Sequence, residues 1–295
     1  MQDVKQTGSR AATYAAAMVT IILWATAFPA TKYSLEYFSP GSLMLFRFIA
    51  ASATLIIAGM IKKIRLPEKK DLPMFALAGF VGIFLYMMFF NSGTVHVDSG
   101  ISSFIIASAP IFAIIASRIL LAEKVSKLCW LGVSVSLGGI AVITVSQTVD
   151  YAMNIGIVLL LLAAITSSGH NVIQRKLLKK YTALEATTYS ITAATLVMLV
   201  FTPTLIRELP YSTAGVNLIV IYLGVFPAAI AYLFWGYALS KTAKTSHVVV
   251  FLYLIPFVAL LLGYIWLDEV LSAWAVVGGV IIIIGMILAN AKKAQ

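Results

Sequence analysis

Residues 256–289 read PFVALLLGYIWLDEVLSAWAVVGGVIIIIGMILA, and Asp268 and Glu269 are the only charged residues among them. The flanking runs are continuously apolar and do not alternate between apolar and polar positions. About 20 helical residues cross the hydrocarbon core of a bilayer. Because lipid offers the backbone no hydrogen bonds, only helices and closed barrels span it, and unbroken apolar runs favour helices. This stretch therefore predicts parts of two membrane-spanning helices joined by a short polar turn.

The rest of the chain repeats this pattern of apolar runs and short polar loops. It has 295 residues, of which 61% are hydrophobic and 11% are charged, whereas a soluble domain carries about 25% charged residues. The pattern predicts an all-α membrane protein with ten transmembrane helices. Their predicted ranges are 12–33, 40–61, 72–92, 99–121, 126–148, 153–175, 183–206, 215–240, 244–267 and 272–291.

Other classes of protein fit the sequence poorly. The single cysteine, Cys129, excludes an internal disulfide and a cysteine metal cluster. The sequence has no Walker loop, no His/Glu metal motif and no paired catalytic carboxylates, so we expect no cofactor, no metal site and no enzymatic activity. The net charge of +10 comes from basic residues beside the apolar runs, which indicates a membrane topology signal and not nucleic-acid binding. The first apolar run is predicted to be a retained helix and not a cleaved signal peptide.

The distribution of lysine and arginine predicts the orientation, because cytoplasmic loops carry an excess of both. With a cytoplasmic N-terminus, only Lys32 and Arg207 fall on the outer side, and Arg47 falls inside the second predicted helix. The remaining basic residues fall on the cytoplasmic side: Lys5, Arg10, Lys62, Lys63, Arg65, Lys69, Lys70, Arg118, Lys124, Lys127, Arg175, Lys176, Lys179, Lys180, Lys241, Lys244, Lys292 and Lys293. Both termini are therefore predicted to be cytoplasmic, in a multi-pass protein of the cell (plasma or inner) membrane.

Residues 12–148 and 153–291 resemble each other as two halves of an internal repeat. Five residue pairs share an offset of 146: Pro110/Pro256, Glu123/Glu269, Ser126/Ser272, Gly132/Gly278 and Gly139/Gly285. Further pairs occur at offsets of 145 and 142: Gly79/Gly224, Ile49/Ile191 and Ala51/Ala193. Each half holds five predicted helices, an odd number, so the second half must lie inverted relative to the first. Inverted repeats are typical of secondary transporters, with the substrate between the halves near the bilayer midplane; a duplication without a transport role is the alternative.

Several short motifs follow one another along the chain. The first half contains Trp24-Ala-Thr-Ala-Phe28 and Arg47-Phe48, and then Ala109-Pro110 and Leu121-Ala-Glu123. The second half repeats the last two as Ile255-Pro256 and Leu267-Asp-Glu269. Each half then ends in a glycine-rich helix. Together these motifs resemble the EamA-type family of the drug/metabolite transporter superfamily over nearly the whole chain, although Ala25 stands where that family often has glycine. The resemblance implies a 5+5 inverted fold that moves a small metabolite across the membrane.

Glycines and prolines mark candidate packing and hinge positions. Gly132 and Gly139 lie on one face of the fifth predicted helix, and Gly278 and Gly285 lie on one face of the tenth. Small residues allow close approach of helices in lipid, so these two helices are predicted to pack together away from the pathway. Four prolines interrupt predicted helices, where each is either a static kink or a hinge: Pro29, Pro110, Pro227 and Pro256.

Acidic residues at helix ends are predicted to have structural roles. Glu123 and Glu269 fall near the membrane surfaces and are interpreted as interfacial anchors or caps for the amides of the next helix. A gating role is the alternative. Asp98 precedes the fourth predicted helix and is interpreted as its N-cap.

Polar residues inside the predicted helices are the first candidates for a substrate pathway. Arg47 is costly to place in a bilayer, so its side chain either extends to the lipid headgroups or faces the interior and meets a carboxylate on the substrate or the protein. Ser167, His170, Asn171 and Gln174 share one face of the sixth predicted helix. That polar face should avoid lipid, and His170 either carries a proton near neutral pH or is an ordinary buried histidine.

Aromatic residues at mid-depth are the second set of candidates. Trp and Tyr usually prefer the membrane interfaces, so their occurrence deeper in the bilayer suggests a cavity that binds amphipathic groups. The candidates lie on the first, third, eighth and ninth predicted helices: Trp24, Phe28, Tyr86, Phe90 with the adjacent Asn91, Tyr232, Trp235 and Tyr253. Plain core packing is the alternative interpretation.

These patterns together predict a secondary transporter that works by alternating access. The pathway is predicted between helices 1–4 and 6–9, with helices 5 and 10 as a support. The expected partners are the lipid bilayer and a small amphipathic metabolite; the resemblance alone implies an amino acid or related compound, and export. A membrane-embedded enzyme, a non-transporting sensor and a channel are the alternatives, and the oligomeric state stays open.

Overall fold

The computed structural model describes residues 2–112, 115, 126–146, 151–241 and 250–290, and this part of the chain is helical with no strand. Glu123 and the motif that contains it lie outside the described residues. We label the α-helices as follows: α1 Gln2–Ser34, α2 Pro40–Lys62, α3 Leu72–Gly79, α4 Tyr86–His96, α5 Ser99–Ala107, α6 Lys127–Ser146, α7 Tyr151–Leu177, α8 Ala183–Met198, α9 Thr202–Glu208, α10 Ala214–Val225, α11 Ala231–Lys241, α12 Ile255–Leu267 and α13 Ala273–Asn290.

Six helical segments in the described ranges are long and apolar enough to cross a membrane. They are Ala11–Ser34, Pro40–Lys62, Lys69–His96, Lys127–Val145, Ala183–Tyr211 and Ala214–Ala238. Shorter apolar helices occupy Ser99–Phe112, Asn154–Gly169, Phe251–Leu267 and Ala273–Ala289. The protein is therefore an all-helical, multi-pass membrane protein.

Several predicted helices are interrupted in the structure. The third predicted helix is α3, a π-helical segment Phe80–Leu85 and then α4, which runs to His96. The fourth is interrupted by a turn at Ser108, two residues before Pro110, which has no N–H to donate to the preceding helical turn. The ninth begins as a 3₁₀ segment Val250–Leu254, and Pro256 lies in the first turn of α12, where its missing N–H costs nothing.

Helix ends follow ordinary capping chemistry. Thr182 and Glu185 form a capping box at the start of α8, with the Thr182 hydroxyl accepting from the Glu185 amide and the carboxylate accepting from the Thr182 amide. Helix α2 begins with Pro40 in its first turn and ends at Lys63, whose φ of 50° closes the helix in the left-handed conformation. These local signals fix where the chain turns between apolar runs.

Helices before residue 147 pack mainly against helices after residue 150. The most extensive pairing in the described part of the chain is α6 along α13. The other large pairings are α4 with α7, α1 with α11 and α12, α2 with α8 and α10, α3 with α8, and α5 with α7 and α12. The core is thus shared between the two halves of the sequence, and neither half has a separate one.

Glycines allow α6 and α13 to touch backbone to backbone. A Cβ at Gly139 would lie 2.6 Å from the Gly278 carbonyl oxygen, and one at Gly285 would lie 2.6 Å from the Gly132 carbonyl oxygen. The Ser136 hydroxyl crosses the same contact and donates to the Ile282 carbonyl at 3.0 Å. The four glycines named from the sequence therefore lie together at one helix–helix contact.

One end of the helix bundle is held by Glu269. Its carboxylate accepts from the Ser99 amide at 2.9 Å, from the Ser99 hydroxyl at 2.5 Å and from the Gly100 amide at 3.4 Å. Asp98 occupies the N-cap position of α5, as predicted, but its side chain makes no cap hydrogen bond. Glu269 is a helix cap, but for α5 in the other half and not for the helix that follows it.

The same end of the bundle contains Lys32. Its ammonium donates to the carbonyl oxygens of Thr94, Val95 and Val97 at 3.0, 3.1 and 3.2 Å. These carbonyls lie at the C-terminal end of α4, where a helix dipole favours a cation. Lys32 therefore has a structural partner.

A charge network ties two polar loops together at the opposite end. Lys180 forms ion pairs with Glu68 at 2.7 Å and with Asp71 at 2.5 Å, and the Tyr181 hydroxyl donates to Asp71 at 2.6 Å. Lys70 reaches Glu68 at 2.9 Å. Asp71 precedes α3 and His96 ends α4, so this network and Lys32 lie at opposite ends of the same interrupted helix. The network joins a loop of the first half to a loop of the second.

Candidate functional site

Arg47 lies in the interior of the helix bundle. It is on α2 and is only 5% exposed, so its side chain faces other helices and does not reach the bundle surface. Its Nε has no hydrogen-bond partner, and no described carboxylate forms an ion pair with it. The guanidinium carbon lies 5.8 Å from the centre of the neighbouring Phe48 ring. The site therefore begins with a buried cation whose charge no described acid balances.

Three tyrosines from other helices lie within electrostatic range of the Arg47 guanidinium: Tyr86, Tyr232 and Tyr222. They lie on α4, α11 and α10. The Tyr222 hydroxyl is already hydrogen-bonded to the Thr26 hydroxyl of α1 at 2.6 Å. Phenol groups can donate and accept hydrogen bonds without carrying charge at neutral pH. These neutral groups therefore do not balance the charge of Arg47.

Trp24 connects this group to a second tryptophan. Its ring lies 5.4 Å from that of Tyr232 at 69°, and 5.4 Å from that of Trp235 at 52°. The indole N–H donates to the Pro227 carbonyl oxygen at 3.1 Å. A buried indole N–H needs such a partner. Helix α1 of the first half and helix α11 of the second thus meet through three aromatic rings.

Phe28 and Phe90 extend the aromatic surface on the other side of Tyr86. The Phe28 and Phe90 rings meet edge to face at 5.4 Å, and Tyr86 stacks on Phe90 at 5.8 Å. Asn91 follows and is 1% exposed; its amide donates to the Pro40 carbonyl at 3.0 Å, while its own carbonyl oxygen has no partner. The structure therefore places Trp24, Phe28, Arg47, Tyr86, Phe90, Tyr232 and Trp235 in one connected set of contacts.

Two π-helical segments position the two tyrosines. Phe80–Leu85 ends immediately before Tyr86, and Phe226–Ile230 ends two residues before Tyr232. Tyr86 and Tyr232 are related by the repeat offset of 146. Single π turns are rare and frequently occur at functional sites. The sequence signal was present, since the two tyrosines share the offset of the glycine pairs, but the π geometry leaves no mark in composition.

The polar face of the sixth predicted helix is only partly described. The Ser167 hydroxyl donates within its own helix to Ala164 at 3.0 Å, and Gln174 is partly buried. The side chains of His170 and Asn171 lie outside the described part of the chain. Ser168, which sequence reasoning missed, is buried and donates to the Ala109 carbonyl of the first half at 2.7 Å. The role of this face in a pathway stays a prediction.

Tyr253 packs against α13. It is 7% exposed and its hydroxyl donates to the Met286 carbonyl of α13 at 3.3 Å. Pro110 and Pro256 both lie where a regular α-helix is interrupted. The two prolines occupy equivalent positions in the repeat, and whether they act as hinges stays a prediction.

An all-helical membrane bundle with a buried cation and aromatic rings between its sequence halves has the features of a multi-pass carrier for small molecules. Residues 11–145 and 154–291 each match the EamA-like transporter family. The chain therefore belongs to that family, and it is a membrane transporter whose substrate is a small molecule.

Relatives of known sequence agree with this membership. The chain is 34% identical over 278 residues to the "Probable terminal-alkyne amino-acid exporter" of Streptantibioticus cattleyicolor, which covers 94% of this chain and 93% of that protein. It is 34% identical over 265 residues to the "Uncharacterized transporter YdfC" of Bacillus subtilis, covering 90% and 86%. It is 33% identical to an "Uncharacterized transporter" of Archaeoglobus fulgidus, covering 93% and 97%.

A solved crystal structure has the same fold. It aligns with a TM-score of 0.65 over 97% of this chain and 98% of that one, at 18% sequence identity. At this identity the similarity concerns the fold alone.

Proposed function

We propose that the protein is a secondary transporter that exports a small amphipathic metabolite, an amino acid or a related compound, by alternating access. The observation that carries the proposal is Arg47, a buried cation unpaired by any described carboxylate, beside Tyr86 of the first half and Tyr232 of the second. A polar group that both halves contact near the centre of the bundle becomes accessible to either side when the halves tilt against each other.

The arrangement of helix pairs supports two inverted halves of five transmembrane helices each, residues 12–148 and 153–291. In the proposed repeat, α1, α2, α3, α4 and α5 correspond to α7, α8, α10, α11 and α12. The contact between α1 and α11 then corresponds to that between α7 and α4. In the same way, α2–α10 corresponds to α8–α3, and α1–α12 corresponds to α7–α5. The pairings α2–α8, α5–α12 and α6–α13 exchange with themselves. A pairing pattern that maps onto itself in this way is what a pseudo-twofold axis between two repeats produces.

The substrate class draws on the site and on one relative. Trp24, Tyr232 and Trp235 offer ring faces that contact apolar groups and cations, and Arg47 offers a positive charge. An amphipathic molecule with both kinds of group matches this pair of surfaces. The relative named as an amino-acid exporter supports the same class and the outward direction.

The proposed topology places both termini in the cytoplasm of a plasma or inner membrane. The asymmetry of lysine and arginine supports it. Of the two basic residues on the outer side, Lys32 is held by the C-terminal carbonyls of α4, so its position follows from packing and not from topology.

Flux measurements test the proposal. The purified protein is reconstituted in liposomes loaded with a panel of amino acids, and efflux and counter-exchange are followed by mass spectrometry. We expect saturable efflux of at least one panel member and acceleration by the same solute on the opposite side. Flux without saturation or exchange indicates a channel, chemical conversion of a solute indicates an enzyme, and no flux of any solute contradicts transport of this class.

A further inference from the structure

We propose that Arg47 binds the carboxylate of the transported solute, with Tyr86 and Tyr232 beside it from the two halves. This inference rests on the transport function proposed above. It adds the chemical group that the site recognises and assigns it to one residue.

The charge of Arg47 is not balanced by a carboxylate in the described part of the chain. Three described glutamates at helix ends accept hydrogen bonds elsewhere. Glu185 is in the capping box of α8, Glu208 accepts from the Ser39 amide at 3.0 Å, and Glu269 caps α5. None forms an ion pair with Arg47 in the described part of the chain. A buried charge without a counter-charge is unfavourable, so an anion that enters this site relieves that cost.

The Arg47 guanidinium has a donor geometry that suits a carboxylate. A guanidinium presents five N–H donors in a planar fork that matches the two oxygens of a carboxylate. The Arg47 Nε is buried and makes no hydrogen bond. Tyr86 and Tyr232 lie within electrostatic range of the guanidinium, and their hydroxyls can donate hydrogen bonds without adding positive charge.

Arg47 has no arginine at the equivalent position of the second half. Tyr86 and Tyr232 are repeat partners, but at the offset of 142 that relates Ile49 to Ile191, the partner of Arg47 is Tyr189. The Tyr189 hydroxyl donates to the Arg65 carbonyl at 2.5 Å, in the loop after α2. Because the second half has no arginine at this equivalent position, the proposed site binds one carboxylate per transport cycle.

An aromatic surface formed by Trp24 and Trp235 adjoins Tyr232. Tyr232 touches the Trp24 ring, and Trp24 touches Trp235. A carboxylate at Arg47 therefore has an apolar surface of indole rings next to it. This places the side chain or the ammonium group of an amino acid against Trp24 and Trp235.

Matched ligands separate this inference from the transport function itself. The probes are L-norvaline, L-norvalinamide and n-butylamine, with L-phenylalanine and its amide as a second series. Flux in proteoliposomes and the unfolding midpoint of the purified protein are measured for wild type, Arg47→Gln and Arg47→Lys. Arg207→Gln is the control, because Arg207 is an exposed arginine on α9.

The expected result is a preference for the acids over the amides and the amine. Arg47→Gln should raise KM for the acids roughly 10- to 100-fold, as expected for loss of charge-assisted hydrogen bonds, and remove their effect on the unfolding midpoint. Arg47→Lys keeps the charge but not the fork, so it should retain a weaker preference for acids. Arg207→Gln should behave as wild type.

Each other outcome has a definite meaning. Wild-type flux with the same acid preference in Arg47→Gln overturns the carboxylate site and leaves the transport function standing. If Arg47→Gln does not fold, a folded Arg47→Lys with the same KM for the acids and the same acid preference as wild type also overturns it. No flux of any probe, with an unfolding shift by acids that needs Arg47, supports the site and refutes transport of these solutes. No flux and no shift overturns both.

Discussion

Trp24 is the residue at which a ring contact and a hydrogen bond between the two halves coincide. Trp24→Phe keeps an aromatic ring but loses the N–H that donates to Pro227. We expect KM for the transported solute to rise roughly 2- to 10-fold, the range for an impaired aromatic contact, with little change in protein level. Trp274→Phe is the control, since Trp274 is 66% exposed. An unchanged KM in Trp24→Phe would remove Trp24 from the site.

Adjacent glycines on α6 give a second prediction at the residue scale. A Cβ at Gly139 would lie 2.6 Å from the Gly278 carbonyl oxygen, whereas a Cβ at Gly138 meets nothing within 4 Å. Gly139→Ala should therefore destabilise the protein by about 1–3 kcal/mol, because backbone cannot move aside as a side chain does. Gly138→Ala should be neutral or stabilise by up to about 1 kcal/mol. Unfolding midpoints of the two variants in detergent measure the difference, and equal midpoints would contradict it.

Single residues could be identified from the sequence only where their chemistry is unusual for a membrane. Arg47 could be singled out, because an arginine within an apolar run needs a reason. The partner of Glu269 could not, because a cap that joins helices 170 positions apart in the chain leaves no local pattern. Ser168 was overlooked beside Ser167 because the choice depends on the rotation of the helix by one residue.

At the scale of the element, α5 depends on a carboxylate from another helix. Glu269→Gln keeps the shape of the side chain but loses the charge that accepts from Ser99 and Gly100. We expect a loss of about 1 kcal/mol in the free energy of unfolding, as for a weakened N-cap. Asp268→Asn is the matched control, since Asp268 has a φ of 53° that asparagine also tolerates. If both variants unfold at the same midpoint, the cap contributes nothing.

Helix positions were predictable because lipid imposes one length and one polarity on every crossing segment. The interruptions of the helices were harder to predict. Pro110 and Pro256 indicate two of them, because proline cannot continue a regular helix. Phe80–Leu85 is apolar like the helices on either side, so its sequence does not indicate the π geometry. Tyr86 and Tyr232 were each named as candidates, yet their contact with Arg47 depends on which helix faces cross, and periodicity does not encode that.

At the scale of the whole molecule, the loop network around Lys180 should respond to pH and salt. Hydrogen bonds from Lys180 and Lys70 lower the pKa of the Glu68 carboxyl, and the carboxylates of Asp71 and Glu68 raise the pKa of Lys180. A lowered carboxyl pKa contributes stability above the unfolded value of about 4.3, which is lost as pH falls through the folded pKa. The Lys180 contribution is complete below its unfolded pKa of about 10.4 and is lost as pH rises through the folded value.

Replacing Lys180 tests the contribution of this network to stability, with a replacement of the adjacent Lys179 as the control. Lys180→Gln should lower the unfolding midpoint slightly at neutral pH and low salt, and the difference from wild type should shrink below pH 4 and in high salt. Lys179→Gln, at an exposed position next to it, should have no such effect. A loss that is the same at every pH and salt concentration would point to packing and not to charge.

The single arginine between two similar halves has a thermodynamic consequence. Two identical inverted repeats would give the inward-open and outward-open forms of a carrier equal free energies, because a twofold rotation about an axis in the membrane plane would convert each form into the other. With Arg47 in one repeat and Tyr189 at the matching place in the other, that degeneracy is lifted. In the proposed alternating-access cycle, the empty carrier would therefore populate its two orientations unequally.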